Sequence, residues 1–146
     1  MEKRVFIRPL EEEDSQAIQK INQSITNRAD TREIEKILEQ EIQGQGEDAC
    51  FVAEIDGKVV GYMISRIIHA GFGLEKSAWI ISFGVGPDHM DQGIGKLLAE
   101  KVFEKYREVG IKHIYTSVQW DSFDILSYFK SLGFERSNFI NIRKTL

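Results

Sequence analysis

The chain has 146 residues, 42% hydrophobic and 29% charged, a balance that fits one globular domain over residues 1–146 and argues against disorder. The formal net charge is −4, with no run of Lys or Arg long enough to track phosphates, so nucleic acid is not expected as a partner. No apolar stretch approaches the roughly 20 residues that span a bilayer, and the N-terminal MEKRVFIRPLEEED turns acidic before any apolar run. No membrane association is therefore expected, and the expected compartment is the cytoplasm. The one cysteine, Cys50, cannot form an internal disulfide and reads as a strand thiol beside Phe51, Val52 and Ala53.

In chain order, Val5-Phe6-Ile7 predicts a first strand. The acidic run Glu11–Asp14 then opens a helix carrying Ile18, Ile21 and Ile25 at helical spacing. Asp30 with Glu33 is a capping-box pair for a second helix whose apolar stripe is Ile34, Ile37, Leu38 and Ile42. Gly44-Gln45-Gly46 ends it. Asp56-Gly57 between Phe51–Ile55 and Val59–Ile64 predicts a hairpin. After a loop at Gly71-Phe72-Gly73, the segment Trp79–Val85 reads as a central strand, apolar on both faces.

Ile94, Leu98, Val102, Tyr106 and Val109 then line one face of a helix that Gly110 closes. A strand is predicted over Ile111–Trp120. A shorter helix capped by Asp121 and ended by Gly133 follows, and a last strand is predicted over Phe139–Ile142. The order is βααβββαβαβ, an α/β domain built on a single mixed sheet flanked by helices.

The segment from Val85 to Leu98 carries the most chemistry. A central strand runs through a Gly-rich turn into an amphipathic helix, so unpaired N–H groups and the positive end of the helix dipole converge on one point. Gly93 and Gly95 let a bulky anion approach the main chain, as a phosphate or pyrophosphate would. A Walker A loop fails, because Met90 holds its first glycine position and Leu97 follows Gly95-Lys96. A dinucleotide fingerprint fails as well, with Leu98 at the third glycine.

Val85-Gly86-Pro87, Gly93-Ile94-Gly95 and the helix start Lys96-Leu97-Leu98 resemble the coenzyme A loop of the GCN5-related N-acetyltransferases. Leu132-Gly133-Phe134 is similar to that family's closing signature, and the Asp56-Gly57 hairpin with Val60-Gly61-Tyr62 to its second and third strands. The resemblance covers most of the chain, in order.

The resemblance implies a sheet with a splayed strand pair and an N-acetyltransferase using acetyl-CoA, without a metal. The acceptor would be a primary amine on a small molecule or a protein, and a homodimer is a further expectation. By the same resemblance Phe83, Gly84 and Val85 would hold pantetheine and the thioester. Asp91, Gln92, Gly93, Ile94, Gly95 and Lys96 would bind the pyrophosphate, with Phe129 also at the cofactor. A Val85 N–H is a candidate to polarise the thioester.

Three positions depart from the family pattern. Met90 replaces its Gln or Arg, while Ser122 and Phe129 fall where its Asn and acidic Tyr are expected. Tyr128 is then the candidate catalytic acid, with a packing role as the alternative. His113, Tyr115 and Ser117 share a strand face and could order a water chain for deprotonating the amine. A non-catalytic acyl-CoA-binding module and the same fold with a larger acyl donor are the other readings.

Overall fold

The computed structural model describes residues 4–26, 36, 39, 47–69 and 75–146. The second helix expected over residues 30–42 and the Gly71-Phe72-Gly73 loop lie outside the described residues, apart from Lys36 and Glu39, which are helical. The chain divides into two compact units, Met1–Thr116 and Ser117–Leu146.

The first unit is a five-stranded sheet in the order β1-β2-β3-β4-β5, with β1 at Val5–Pro9, β2 at Cys50–Ile55, β3 at Lys58–Ile68, β4 at Ser77–Val85 and β5 at Ile114–Tyr115. The first three pairings are antiparallel and β4–β5 is parallel. Asp56 (φ 51°) and Gly57 (φ 78°) turn β2 into β3, both left-handed as a two-residue hairpin that follows strand twist requires.

Helix α1 (Ser15–Thr26) and helix α2 (Ile94–Glu108) cover opposite faces of the sheet. The adjacent residues Gly61 and Tyr62 make this visible, because neighbours on a strand point to opposite faces. Tyr62 packs with Ile18 and Ile21 of α1, Val52 and Ile64 in one buried cluster. A Cβ on Gly61 would instead meet Ile94 and Leu98 of α2 at 3.2 and 3.3 Å. The helical stripe of α2 is buried at Ile94, Leu98, Val102 and Tyr106, whereas Val109 lies beyond the last turn and is exposed.

The far end of α2 is tied to the sheet by a closed ring of hydrogen bonds. The Ala49 N–H donates to the Tyr106 hydroxyl at 2.9 Å, Tyr106 and Ser65 bond at 2.6 Å, and Ser65 donates back to the Ala49 carbonyl. Each of these buried groups has its partner, and burial of the phenol pushes Tyr106 up to about 12. Cys50 is half-buried beside the ring, and its thiol donates to the Ser65 carbonyl at 3.4 Å.

Two expected strands are corrected. Of Ile111–Trp120, only Ile114 and Tyr115 form a ladder, with Ala78 and Trp79 of β4. One residue on, the Thr116 hydroxyl bonds the Ile80 carbonyl at 3.1 Å, so a side chain takes the place of the next main-chain bond. Phe139–Ile142 forms no strand: Ile140 and Ile142 are 76% and 89% exposed. Alternating apolar residues define two faces, but a strand also needs a partner backbone.

The second unit holds helix α3 (Phe123–Ser131), and its N-cap is Ser122 rather than Asp121. Its end is a Schellman motif: Gly133 N–H bonds Lys130 O and Phe134 N–H bonds Phe129 O, both at 3.0 Å. The apolar contact that accompanies this motif is Phe129 against Phe134, edge to face with centroids 5.0 Å apart. Leu132-Gly133-Phe134 is thus a helix stop. Asn141 donates to the Ser117 hydroxyl at 3.0 Å within the same unit.

Candidate active site

Strand β4 is irregular in its middle. Ser82 pairs with Ile64 and Ile80 with Ser65, so Ile81 is an extra residue with no opposite number on β3. Such a bulge bends the strand and increases its twist. It falls just past the β4–β5 ladder, which ends at Trp79–Tyr115, and β4 runs on to Val85.

The register beyond the bulge sets which way the peptide groups face. Gly86 N–H bonds Val60 O at 2.7 Å, so the flanking pair Gly61–Val85 is a non-hydrogen-bonded one and Tyr62–Gly84 a hydrogen-bonded one. By the same alternation Phe83 and Val85 turn their N–H and C=O groups away from β3, while Gly84 turns its groups toward it. Of the three expected pantetheine-holding residues, Phe83 and Val85 therefore turn their backbone groups away from β3, and Gly84 turns its groups toward it. A Cβ on Gly84 would lie 2.5 Å from Ile25 and 3.1 Å from the Tyr62 ring, so its bare backbone lets α1 rest on the strand.

The strand then passes through a short 3-10 turn, Pro87–His89, to the start of α2. Asp91 (φ 64°) and Gly93 (φ 78°) are both left-handed, and Gly93 is the N-cap. A left-handed Asp is uncommon and marks a loop whose shape is over-determined by its surroundings. The first i→i−4 bond of α2 joins Leu97 N–H to Gly93 O at 3.1 Å, so the N–H groups of the turn before it point out of the helix end.

No acid lies in that first turn, and Lys105 and Arg107 sit in the last, so the dipole's positive end is not neutralised from within the helix. Ile94 is buried and anchors the turn, while Asp91, Gln92, Gly93 and Lys96 are exposed. A Cβ on Gly61 would lie 3.2 Å from both the Gly84 carbonyl and Ile94, so the strand segment and the helix start meet across one missing side chain. An extended chain ending in a pyrophosphate fits this arrangement: the strand offers backbone pairing and the helix end offers N–H donors.

A second feature of β4 is absent from the sequence motifs. The Tyr62 hydroxyl receives the Asn22 amide at 3.1 Å and bonds the Ser82 hydroxyl at 2.9 Å, which links α1, β3 and β4 just beside the bulge. No spacing signals this triad, because it depends on the register of β3 against β4.

Of the candidate base residues, His113 and Tyr115 lie near each other with ring centroids 6.2 Å apart, and Tyr115 stacks on Trp79 at 5.1 Å. Trp79 Nε1 is buried without a hydrogen-bond partner among the described residues. Ser117, Tyr128 and Phe129 belong to the second unit. There Phe129 is buried in the helix stop, and Tyr128 is half-buried with its ring edge to face against Phe129 at 5.0 Å. Burial pushes the Tyr128 phenol above its ordinary value of 10. Among the described residues, no group of three or more His, Cys, Asp or Glu is placed to hold a metal, and no helix is long and apolar enough to cross a membrane.

Residues 15–134 match the acetyltransferase (GNAT) family, a match that includes the strand, the Gly-rich turn and helix α3. The chain belongs to the GNAT acetyltransferase family. An N-alpha-acetyltransferase of Sulfurisphaera tokodaii is 33% identical over 97 residues, covering 61% of this chain. The matched region spans 58% of that relative's length.

Solved structures share the GNAT fold across nearly the whole chain. Aminoglycoside N-acetyltransferase AAC(6')-Iy in complex with CoA has a TM-score of 0.85 at 16% identity, covering 99% of this chain and 97% of that one. The ribosomal-protein-S18-alanine N-acetyltransferase of Escherichia coli has a TM-score of 0.76 at 19% identity, covering 92% and 80%.

Proposed function

We propose that this GNAT protein transfers an acetyl group from acetyl-CoA to a primary amine, and that the amine is the α-amino group of a peptide or protein. The observation that carries the donor half is that one strand segment, Phe83–Val85, turns the backbone of Phe83 and Val85 away from β3 while the start of α2 comes close to it across Gly61. Pantetheine would pair with Phe83 and Val85, and the pyrophosphate would accept N–H bonds from the turn Asp91–Lys96, with Lys96 adding a cation. Bound acetyl-CoA supplies an activated acyl group, whose thiolate leaves without a metal's help. This chain's part is to hold the thioester straight, polarise its carbonyl from the strand and keep the amine in line.

The acceptor half draws on the Sulfurisphaera relative, 33% identical over 97 residues; the two solved structures described above, at 16% and 19% identity, speak to fold. Isothermal titration with acetyl-CoA, CoA and ATP side by side tests the donor. Micromolar binding of both CoA species with little response to ATP is expected, and no binding of either would overturn the proposal. A mass-spectrometric screen of short peptides with free and blocked N-termini then tests the acceptor. Acetylation of free N-termini alone is expected. Binding without turnover of any amine would instead mark an acyl-CoA-binding module.

A further inference from the structure

We infer that the Ser82 hydroxyl is a second hydrogen-bond donor to the acyl carbonyl oxygen, held in place by Tyr62 and Asn22. The inference rests on acetyl-CoA being the donor and goes beyond it by assigning a side chain to the acyl group. The Asn22 Nδ2 can only donate, so the Tyr62 oxygen accepts from it. Tyr62 is fully buried, and its own proton needs an acceptor, since a buried hydroxyl left unpaired keeps its full desolvation cost. That acceptor is the Ser82 oxygen at 2.9 Å. The chain therefore runs from Asn22 to Tyr62 to Ser82, and the Ser82 proton is the one left to point onward.

Aligned hydrogen bonds polarise one another, which makes the last donor in the line the strongest. Ser82 is half-buried and sits one residue ahead of Phe83, next to the Ile81 bulge where β4 runs on past β5. A hydroxyl there is positioned to donate to a carbonyl oxygen on the adjoining strand segment as negative charge builds on it. No proton is transferred, so the hydroxyl acts as a fixed dipole rather than as an acid. Tyr62 and Asn22 are positioning residues: they reach the acyl group only through Ser82.

The test uses the carbonyl stretch of bound acetyl-CoA, labelled with carbon-13 at the carbonyl, by difference infrared spectroscopy. A lost donor raises that frequency. Ser82→Ala is expected to move the band to higher frequency while CoA affinity by calorimetry stays within two-fold. Ser82→Thr, which keeps the hydroxyl, is expected to restore the band. Tyr62→Phe keeps the Ser82 hydroxyl but removes its anchor and is expected to move the band part of the way.

Wild-type binding of acetyl-CoA with the same band in Ser82→Ala overturns this inference and leaves the donor assignment standing. Failure of the wild-type protein to bind acetyl-CoA overturns both. If Ser82→Ala does not fold, an unmoved band in Tyr62→Phe overturns the inference by itself.

Discussion

Arg8 grips Asp14 through two bonds of 2.8 Å and reaches Glu54 at 2.9 Å, so one guanidinium joins β1, β2 and the turn before α1. Asp14 is buried and also accepts the Glu11 N–H at 2.8 Å. Burial alone would raise its pKa. The Arg8 bond, the Glu11 N–H and the Arg8 charge outweigh burial, and the net shift is downward from 3.8. The folded pKa thus lies below the unfolded one, and as pH falls the unfolded chain takes up the proton first. The stability Asp14 contributes is complete above the unfolded value and is lost as pH falls through the folded one. Asp14→Asn should cost about 2 kcal/mol at pH 7. In urea titrations from pH 7 to pH 2, the gap between wild type and variant should hold to about pH 5 and close below about pH 4. A gap that persists undiminished at pH 2 would show that packing, not charge, sets the cost.

Tyr128, whose pKa is raised above 10, is a weaker acid than a thiol near 8.5, so handing its proton to a leaving thiolate runs uphill. Tyr128→Phe is therefore expected to lower kcat by less than about 10-fold, with the packing against Phe129 retained. A loss of about 10²-fold or more, the range for acid–base residues, would assign the phenol to proton transfer after all.

At the scale of elements, the meeting of α1 with β4 depends on one absent side chain. Gly84→Val would press against Ile25, the Tyr62 ring and Ile21, whose nearest atoms already lie 2.5–3.2 Å from where a Cβ would sit. Ile25 can swing its terminal methyl aside, but Tyr62 is fully buried and bonded at its hydroxyl to Ser82. The expected cost is about 1–3 kcal/mol, read as a lower urea midpoint with an unchanged slope. Circular dichroism should keep its helical signal, since only the seating of α1 is disturbed.

Sequence patterns reported some elements well and others poorly for the same physical reason. The Asp56-Gly57 hairpin, the buried stripe of α2 and the stops at Gly110 and Gly133 are local, set by dihedral preference and helical period. The Ile81 bulge, the brevity of β5 and the Asn22–Tyr62–Ser82 line are not local, since each depends on how one strand registers against another. Phe129, expected at the cofactor by resemblance, also closes the turn against Phe134, a contact that the sequence pattern did not announce. The turn that opens α2 was legible as a backbone feature down to Gly93, its N-cap. The left-handed Asp91 beside it had no signal, because Gln92 rather than a glycine follows it, unlike Asp56 before Gly57.

Taken as a whole molecule, the chain carries a net charge of −4 and is proposed to bind a multiply charged anion. Long-range electrostatics oppose that encounter, so affinity must come from short-range donors. The proposed site has these in the N–H groups at the start of α2, with no acid in the first turn and Lys96 the cation within it. The two sources respond oppositely to salt. Repulsion from the distant charges is screened beyond about 10 Å at 0.1 M, whereas hydrogen bonds at a helix end persist. CoA affinity should therefore change by less than about three-fold between 50 and 300 mM NaCl, because relief of the repulsion offsets the weakened pull of Lys96. Lys96→Ala should remove that offset, leaving affinity weaker at low salt and rising as salt is added. A steep loss of wild-type affinity with salt would point to surface lysines rather than the helix end as the pyrophosphate's main holders.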